Sequence, residues 1–151
     1  MKVVGINGSS RKDGNTAILI KTIFERIKEA DGLILGSPVY GADISAKMKV
    51  FIDRLGIASL GNPDVLKRKP GAAVSAVRRA GGMTTVDILD HFMLFREMII
   101  VGSTYWNMVY GKDVGDVLND SEGMANMRNI GENMAWLLKK LHAEQKKGSK
   151  L

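Results

Sequence analysis

Short runs of β-branched and small apolar residues alternate with segments of helical period along this chain, and each run ends in a loop crowded with turn-forming residues. Val3, Val4 and Ile6 begin the first run, which stops at Asn7-Gly8-Ser9-Ser10. From Asn15 onward, Ile20, Ile23, Phe24 and Ile27 recur at the three- and four-residue steps of one helix face. Leu33-Ile34-Leu35 reads as a second strand, ending at Gly36-Ser37-Pro38. Ser45 to Leu55 is helical in period, with Met48, Phe51, Ile52 and Leu55 inward. Gly71 to Val77 reads as a small-residue strand, Thr84 to Phe95 as a helix, Met98 to Val101 as a fourth strand and Ser121 to Leu141 as a long last helix. Strands and helices in alternation imply a parallel sheet covered on both faces, a doubly wound α/β domain. Ligands of such folds sit beyond the carboxyl ends of the strands. The loops NGSSRKDGNT, GSPVYGADIS, RRAGG and GSTYWNMVYG are therefore expected to share one surface.

The 151 residues suit one domain, expected over 1–142 and followed by a basic tail, 143–151. The net charge of +6 hints at nucleic acid, but its location argues otherwise. Residues 139–151 hold five Lys and one Glu, which leaves only +2 for the rest of the chain. Without a dominant basic face the folded part is not expected to bind nucleic acid. No apolar run approaches the ~18–20 residues of a membrane span. The N-terminus shows no signal-peptide pattern, and the expected location is the cytoplasm. With no cysteine, the sequence offers neither disulfides nor thiolate metal ligands.

The loop Gly8-Ser9-Ser10-Arg11-Lys12-Asp13-Gly14-Asn15-Thr16 joins the first strand to the first helical segment. A helix N-terminus offers unpaired N–H groups and partial positive charge, which favour a phosphate. Gly8 and Gly14 permit tight turning, Ser9, Asn15 and Thr16 supply hydrogen bonds, and Arg11 adds charge. The spacing is wrong for a G-x-G-x-x-G dinucleotide fingerprint, and Gly14 is followed by Asn15-Thr16 rather than by the Lys-Ser/Thr of a P-loop. Without that lysine the cradle suits a single phosphomonoester.

GSSRKDGNT resembles the flavin-phosphate loop of the NADPH-dependent FMN reductase family. The stretch from Gly36 to Arg54 (GSPVYGADISAKMKVFIDR) resembles the same family, as does Arg78-Arg79-Ala80-Gly81-Gly82, and Gly123 to Leu141 is similar to its closing helix. The resemblance, nearest to the iron–sulfur flavoprotein branch, implies a flavodoxin-like sheet of strand order 2-1-3-4-5 and a bound FMN. It implies that Ser9, Ser10, Arg11, Gly14, Asn15 and Thr16 hold the phosphate. Pro38, Val39, Tyr40 and Gly41 then face the isoalloxazine, and Arg78, Arg79, Gly81 and Gly82 line its other edge. The residue types agree: Gly41 admits close backbone approach to a flat ring, Tyr40 can stack on or flank it, and backbone N–H groups tune flavin electronics. The chemistry belongs to the flavin, so no catalytic side chain and no metal ligand is assigned. NAD(P)H is the implied electron donor, and flavin, quinone or a similar small molecule the acceptor. A second reading, an electron-transfer protein served by a ferredoxin-like partner, stays open. A homodimer or homotetramer is expected, with the Met48/Phe51/Ile52/Leu55 helix and the YWNMVY loop as candidate interfaces.

Other residues take plainer readings. His91 and His142 lie in helical stretches and are assigned no metal or catalytic role, and the nine methionines are read as core or interface filler. Trp136 is expected in the core. Tyr105-Trp106 caps a flavin or substrate, or packs in a dimer interface.

The pattern departs from the family in one place. A flavodoxin-like sheet has five strands and this sequence shows four, with the second strand and a long loop absent. A direct right-handed crossover from the first strand to the next would put the intervening helix on the wrong face for the phosphate site. A segment of about 30–45 residues is therefore expected to belong between Thr22 and Ile27, with Phe24–Glu25 as the junction. In some relatives that stretch carries cysteines for an iron–sulfur cluster, which the present residues do not support.

Overall fold

The computed structural model describes residues 3–7, 14–15, 31–60 and 65–148. Its elements run β1 (Val3–Asn7), β2 (Gly32–Pro38), α1 (Ala46–Leu60), β3 (Pro70–Val77), α2 (Gly82–Phe95), β4 (Ile99–Ile100), β5 (Met108–Tyr110), a 3-10 turn (Asp116–Asn119) and α3 (Ser121–Gly148). All strand pairs are parallel, in the order β1-β2-β3-β4. β5 pairs with the far end of the same edge of β3, so β4 and β5 act as one edge strand interrupted by residues 101–107. This is the flavodoxin-like order with its second strand left out. No strand lies beyond β1 among the described residues.

Alternation along the central strands builds two cores. Ile34, Ala72, Val74 and Ala76 face α3, where they meet Met127, Ile130 and Met134. Leu33, Leu35 and Ala73 face the other side, against Met48 and Ile52 of α1 and Leu89 and Met93 of α2. β3 is buried along its full length, which explains its small residues: a Cβ on Gly71 would come within 2.5 Å of Met93 Sδ and 2.9 Å of Met98 Cε. Flexible methionines fill the space that the small strand leaves.

Several expectations shift. α1 runs five residues past Leu55, through Gly56, whose poor helix propensity the rest of the segment outweighs. α3 continues from Leu141 to Gly148 through Ala, Glu, Gln and Lys, all good helix formers. Trp136 is not core but 62% exposed, because α3 buries the face of Met127, Ile130, Met134 and Leu138, and a residue two positions past Met134 points away from it. Met48 and Ile52 are fully used by the core, which removes them as interface candidates, while Phe51 and Leu55 are half-buried. The Phe24–Glu25 junction lies outside the described residues. No described helix is long and apolar enough to cross a membrane.

Candidate functional site

β2 delivers the chain to the carboxyl edge of the sheet at Pro38, and a tight turn follows. Tyr40 and Asp43 exchange backbone hydrogen bonds of 3.0 and 3.1 Å around Gly41 and Ala42, whose φ angles of 60° and 59° are both left-handed. Two consecutive positive φ values make the type I′ geometry that glycine tolerates and alanine pays for. Strain of this kind collects at ligand sites. The base of the loop is pinned where Ser37 Oγ accepts from the Ser45 N–H at 3.0 Å. Ser45 Oγ in turn accepts from the Met48 N–H at 3.2 Å, capping α1. Tyr40 stands half exposed at the tip.

The loop after β3 packs directly on that turn. Gly81 sits at φ +84°, and a Cβ there would meet Val39 Cγ1 at 2.9 Å and the Ala42 Cα at 3.0 Å. Two of the expected flavin segments, 38–41 and 78–82, therefore form one ledge. Arg78 and Arg79 are exposed on it, and Gly82 is buried, its absent Cβ replaced by Val77 and Met108.

Of the expected phosphate residues, Ser9, Ser10, Arg11 and Thr16 lie outside the described residues. Gly14 is buried, and Asn15 Oδ1 accepts from the Gly115 N–H at 3.0 Å. Because only the oxygen of the amide can accept, this bond fixes the Asn15 side chain and leaves Nδ2 as its donor end. A phosphate, which only accepts from its surroundings, needs a donor. Nδ2 itself lies against Gly111, where an added Cβ would come within 3.0 Å of it.

Sequence reading placed the 105–110 loop at this surface and missed only the contribution of α3. A cleft of about 330 Å³ opens between the 80–84 segment, the 105–110 loop and the start of α3. Asn126, buried on α3, organises its wall: Thr104 Oγ1 donates to Asn126 Oδ1 at 2.8 Å, and Asn126 Nδ2 reaches the Trp106 carbonyl at 3.5 Å. Ser75 N–H donates to the Asn107 carbonyl at 3.0 Å and ties the loop to β3. The usable sequence signal was Asp120, a helix cap just before Ser121. Its carboxylate accepts from the Gly123 N–H at 2.9 Å and the Tyr110 N–H at 2.8 Å.

The residues present fit FMN: a strained turn with an exposed aromatic, packed on a glycine loop that carries two exposed arginines. They do not fit an iron–sulfur cluster, since none of the 151 residues is a cysteine. Among the described residues no group of three or more His, Asp or Glu could hold a metal. His91 is exposed on α2 and His142 half-buried on α3.

The family described as NADPH-dependent FMN reductase matches residues 20–113. An iron-sulfur flavoprotein of Methanocaldococcus jannaschii is 31% identical, the match taking in 92% of this chain and 98% of that protein. A NAD(P)H dehydrogenase (quinone) of Trichlorobacter lovleyi is 35% identical over 54% of this chain and 40% of its own. Among solved structures, Trp repressor binding protein from Bacillus subtilis superposes with a TM-score of 0.72 at 23% identity, covering 85% of this chain and 97% of that one. A flavodoxin from the domain Archaea superposes with a TM-score of 0.69 at 18% identity, covering 92% and 99%. The fold is flavodoxin-like.

Proposed function

The chain belongs to the NADPH-dependent FMN reductase family, and we propose that its FMN lies on the ledge formed by 38–41 and 78–82, with the phosphate at Gly14-Asn15. The protein is an FMN-dependent oxidoreductase that draws on NAD(P)H and serves a small-molecule redox substrate. Bound FMN supplies hydride acceptance and onward electron transfer. The chain's own contribution is placement and charge. Asn15 holds the phosphate, Tyr40 flanks the ring, and Arg78 and Arg79 favour negative charge at its edge.

The observation that carries this reading is the packing of Gly81 against Val39 and Ala42, which joins two loops distant in sequence into one flat support. We place the protein in the cytoplasm as a homodimer or homotetramer, supported by the exposed Tyr105, Trp106 and Tyr110 and by Ile57, Leu60 and Phe95, which α1 and α2 leave uncovered. The acceptor is proposed to be a flavin or quinone.

The test is an absorbance spectrum of purified protein before and after anaerobic mixing with NADPH. A flavin band that bleaches rapidly is expected. A colourless protein that cannot be reconstituted with FMN would overturn the cofactor assignment. A band that NADPH leaves unchanged would instead favour an electron-transfer protein reduced by a ferredoxin-like partner.

A further inference from the structure

A second cavity of about 330 Å³ lies at the opposite edge of the sheet, where β2 and β3 begin. Pro70, Leu138 and Leu141 give it an apolar floor, the first two buried and the third half-buried. Around that floor stand Arg68, Lys69 and His142, with one carboxylate, Asp31. The volume is at the small end of ligand sites, which run from ~300 to ~1,000 Å³. That is room for a single ring and its substituents, not for a nucleotide.

Arg68 is held in an unusual backbone state. Its φ of 61° is left-handed, a region that glycine enters freely and arginine does not. Strain of this kind collects at ligand sites. The Arg68 N–H donates to the Glu97 carbonyl at 2.8 Å, which fixes the turn just ahead of β3. Neighbouring Lys67 is answered by the Glu97 carboxylate at 2.9 Å. Among the described residues no carboxylate answers the Arg68 guanidinium. Lys69 has its counterweight, because Leu33 pairs with Gly71 and the register continued two residues back sets Asp31 beside it. Those two charges offset each other. What remains over the apolar floor is the cationic fork of Arg68, shaped for a carboxylate, and the imidazole of His142.

We propose that this cavity binds a small organic anion, its carboxylate on Arg68 and His142 and its apolar body on Pro70, Leu138 and Leu141. The site is separate from the flavin ledge. β3 runs from Pro70 to Val77, about 23 Å at ~3.3 Å per residue, before the ledge begins at Arg78. The binding stands independently of the oxidoreductase reading.

Amide NMR of the FMN-loaded protein, titrated with benzoate and with benzamide, tests it. Benzamide keeps the ring and the planar head but lacks the charge. Benzoate is expected to shift the amides of Arg68, Lys69 and residues 138–142, to leave 38–41 and 78–82 unmoved, and to bind at least about tenfold more tightly than benzamide. Arg68→Gly should weaken benzoate about tenfold while raising the urea midpoint, because glycine accepts the backbone that arginine strains. Leu141→Ala should weaken both probes about threefold and leave their ratio unchanged. Equal binding of the two probes, shifts at the ledge instead of the cavity, or an Arg68→Gly protein that holds benzoate as well as before would overturn the proposal.

Discussion

The Gly115 N–H donates to Asn15 Oδ1 at 3.0 Å across a hundred residues of chain. Gly115 stands at φ +95° in the loop that leads into α3, and the bond holds Asn15, the residue proposed for the phosphate, against that loop. Two consequences follow, one for the cofactor and one for the topology.

For the cofactor, Asn15 is the proposed phosphate residue, and Gly115 fixes its side chain. Asn15→Asp keeps an acceptor for Gly115 but turns a carboxylate toward the phosphate. FMN affinity should fall about tenfold to a hundredfold, the worth of a lost hydrogen bond to a charged group at ~1.5–3 kcal/mol. Asn15→Ala, which adds no repulsion, should lose less. Fluorescence titration of FMN into apoprotein reads both, and an Asp variant that binds as well as Asn would remove Asn15 from the phosphate site.

Gly81→Ala tests the ledge. The new Cβ would lie 2.9 Å from Val39 Cγ1 and 3.0 Å from the Ala42 backbone, at a φ that L residues rarely adopt. A loss of about 1–3 kcal/mol in urea unfolding is expected. Because the clash separates the two flavin loops, FMN release should accompany it. A variant of unchanged stability that still holds FMN would show that the ledge is not needed.

The fold was legible because periodicity is written into Leu33–Leu35, Gly71–Val77 and Thr84–Phe95, whose partners follow from the alternation itself. Three features were not. β5 spans only Met108–Tyr110 inside the polar, aromatic run TYWNMVY, and its strand character comes from pairing with Ser75–Val77 rather than from its own residues. Trp136 is apolar by type and exposed by phase, a distinction set by which face of α3 meets Ala72 and Val74. The cleft draws on segments near residues 80, 105 and 120, and no local pattern announces a space between them. The two loops of the ledge, by contrast, could be read from Pro38 to Gly41 and from Arg78 to Gly82, though not their contact.

Asp90 should give the protein a measurable pH slope. Its carboxyl is pushed up to about 6 from an ordinary 3.8, first by burial and then by Asp87, with His91 pulling the other way. Its Oδ1 is buried without a hydrogen-bond partner. The folded state binds this proton more tightly than the unfolded chain does. The stability it contributes is complete below about pH 4 and is lost as pH rises through 6. Asp90→Asn should flatten that slope and raise stability at pH 7 by about 1–2 kcal/mol, less than the two-unit shift implies because solvent screens part of it. Urea midpoints at pH 4 and pH 7 decide it; a variant that gains nothing at pH 7 would contradict the shift.

The topological consequence concerns the connection from β1 to β2. α1 and α2 carry β2 to β3 and β3 to β4 on one face of the sheet, and α3 covers the other. A direct right-handed crossover from β1 to its neighbour β2 runs in the same direction, so its helix belongs on the α1–α2 face. Asn15, where that helix is expected to begin, is bonded instead to the loop entering α3, whose Val117 packs in the α3 core. A helix that starts there fits a connection to a strand beyond β1, followed by a return across the other face. The match to the Methanocaldococcus jannaschii relative points the same way. It runs over 191 positions, yet 92% of this chain is about 139 residues, so about fifty positions of the relative face nothing here. Inserting a strand-and-loop segment of about fifty residues between Phe24 and Glu25 should therefore pair the edge of β1 that no described strand occupies, raise the urea midpoint and tighten FMN binding. A chain evolved to work with four strands would respond in the opposite direction, because an inserted strand would displace whatever covers β1. A lower midpoint together with weaker FMN binding would establish the four-stranded form and leave the Asn15–Gly115 bond as its own solution to holding the phosphate loop.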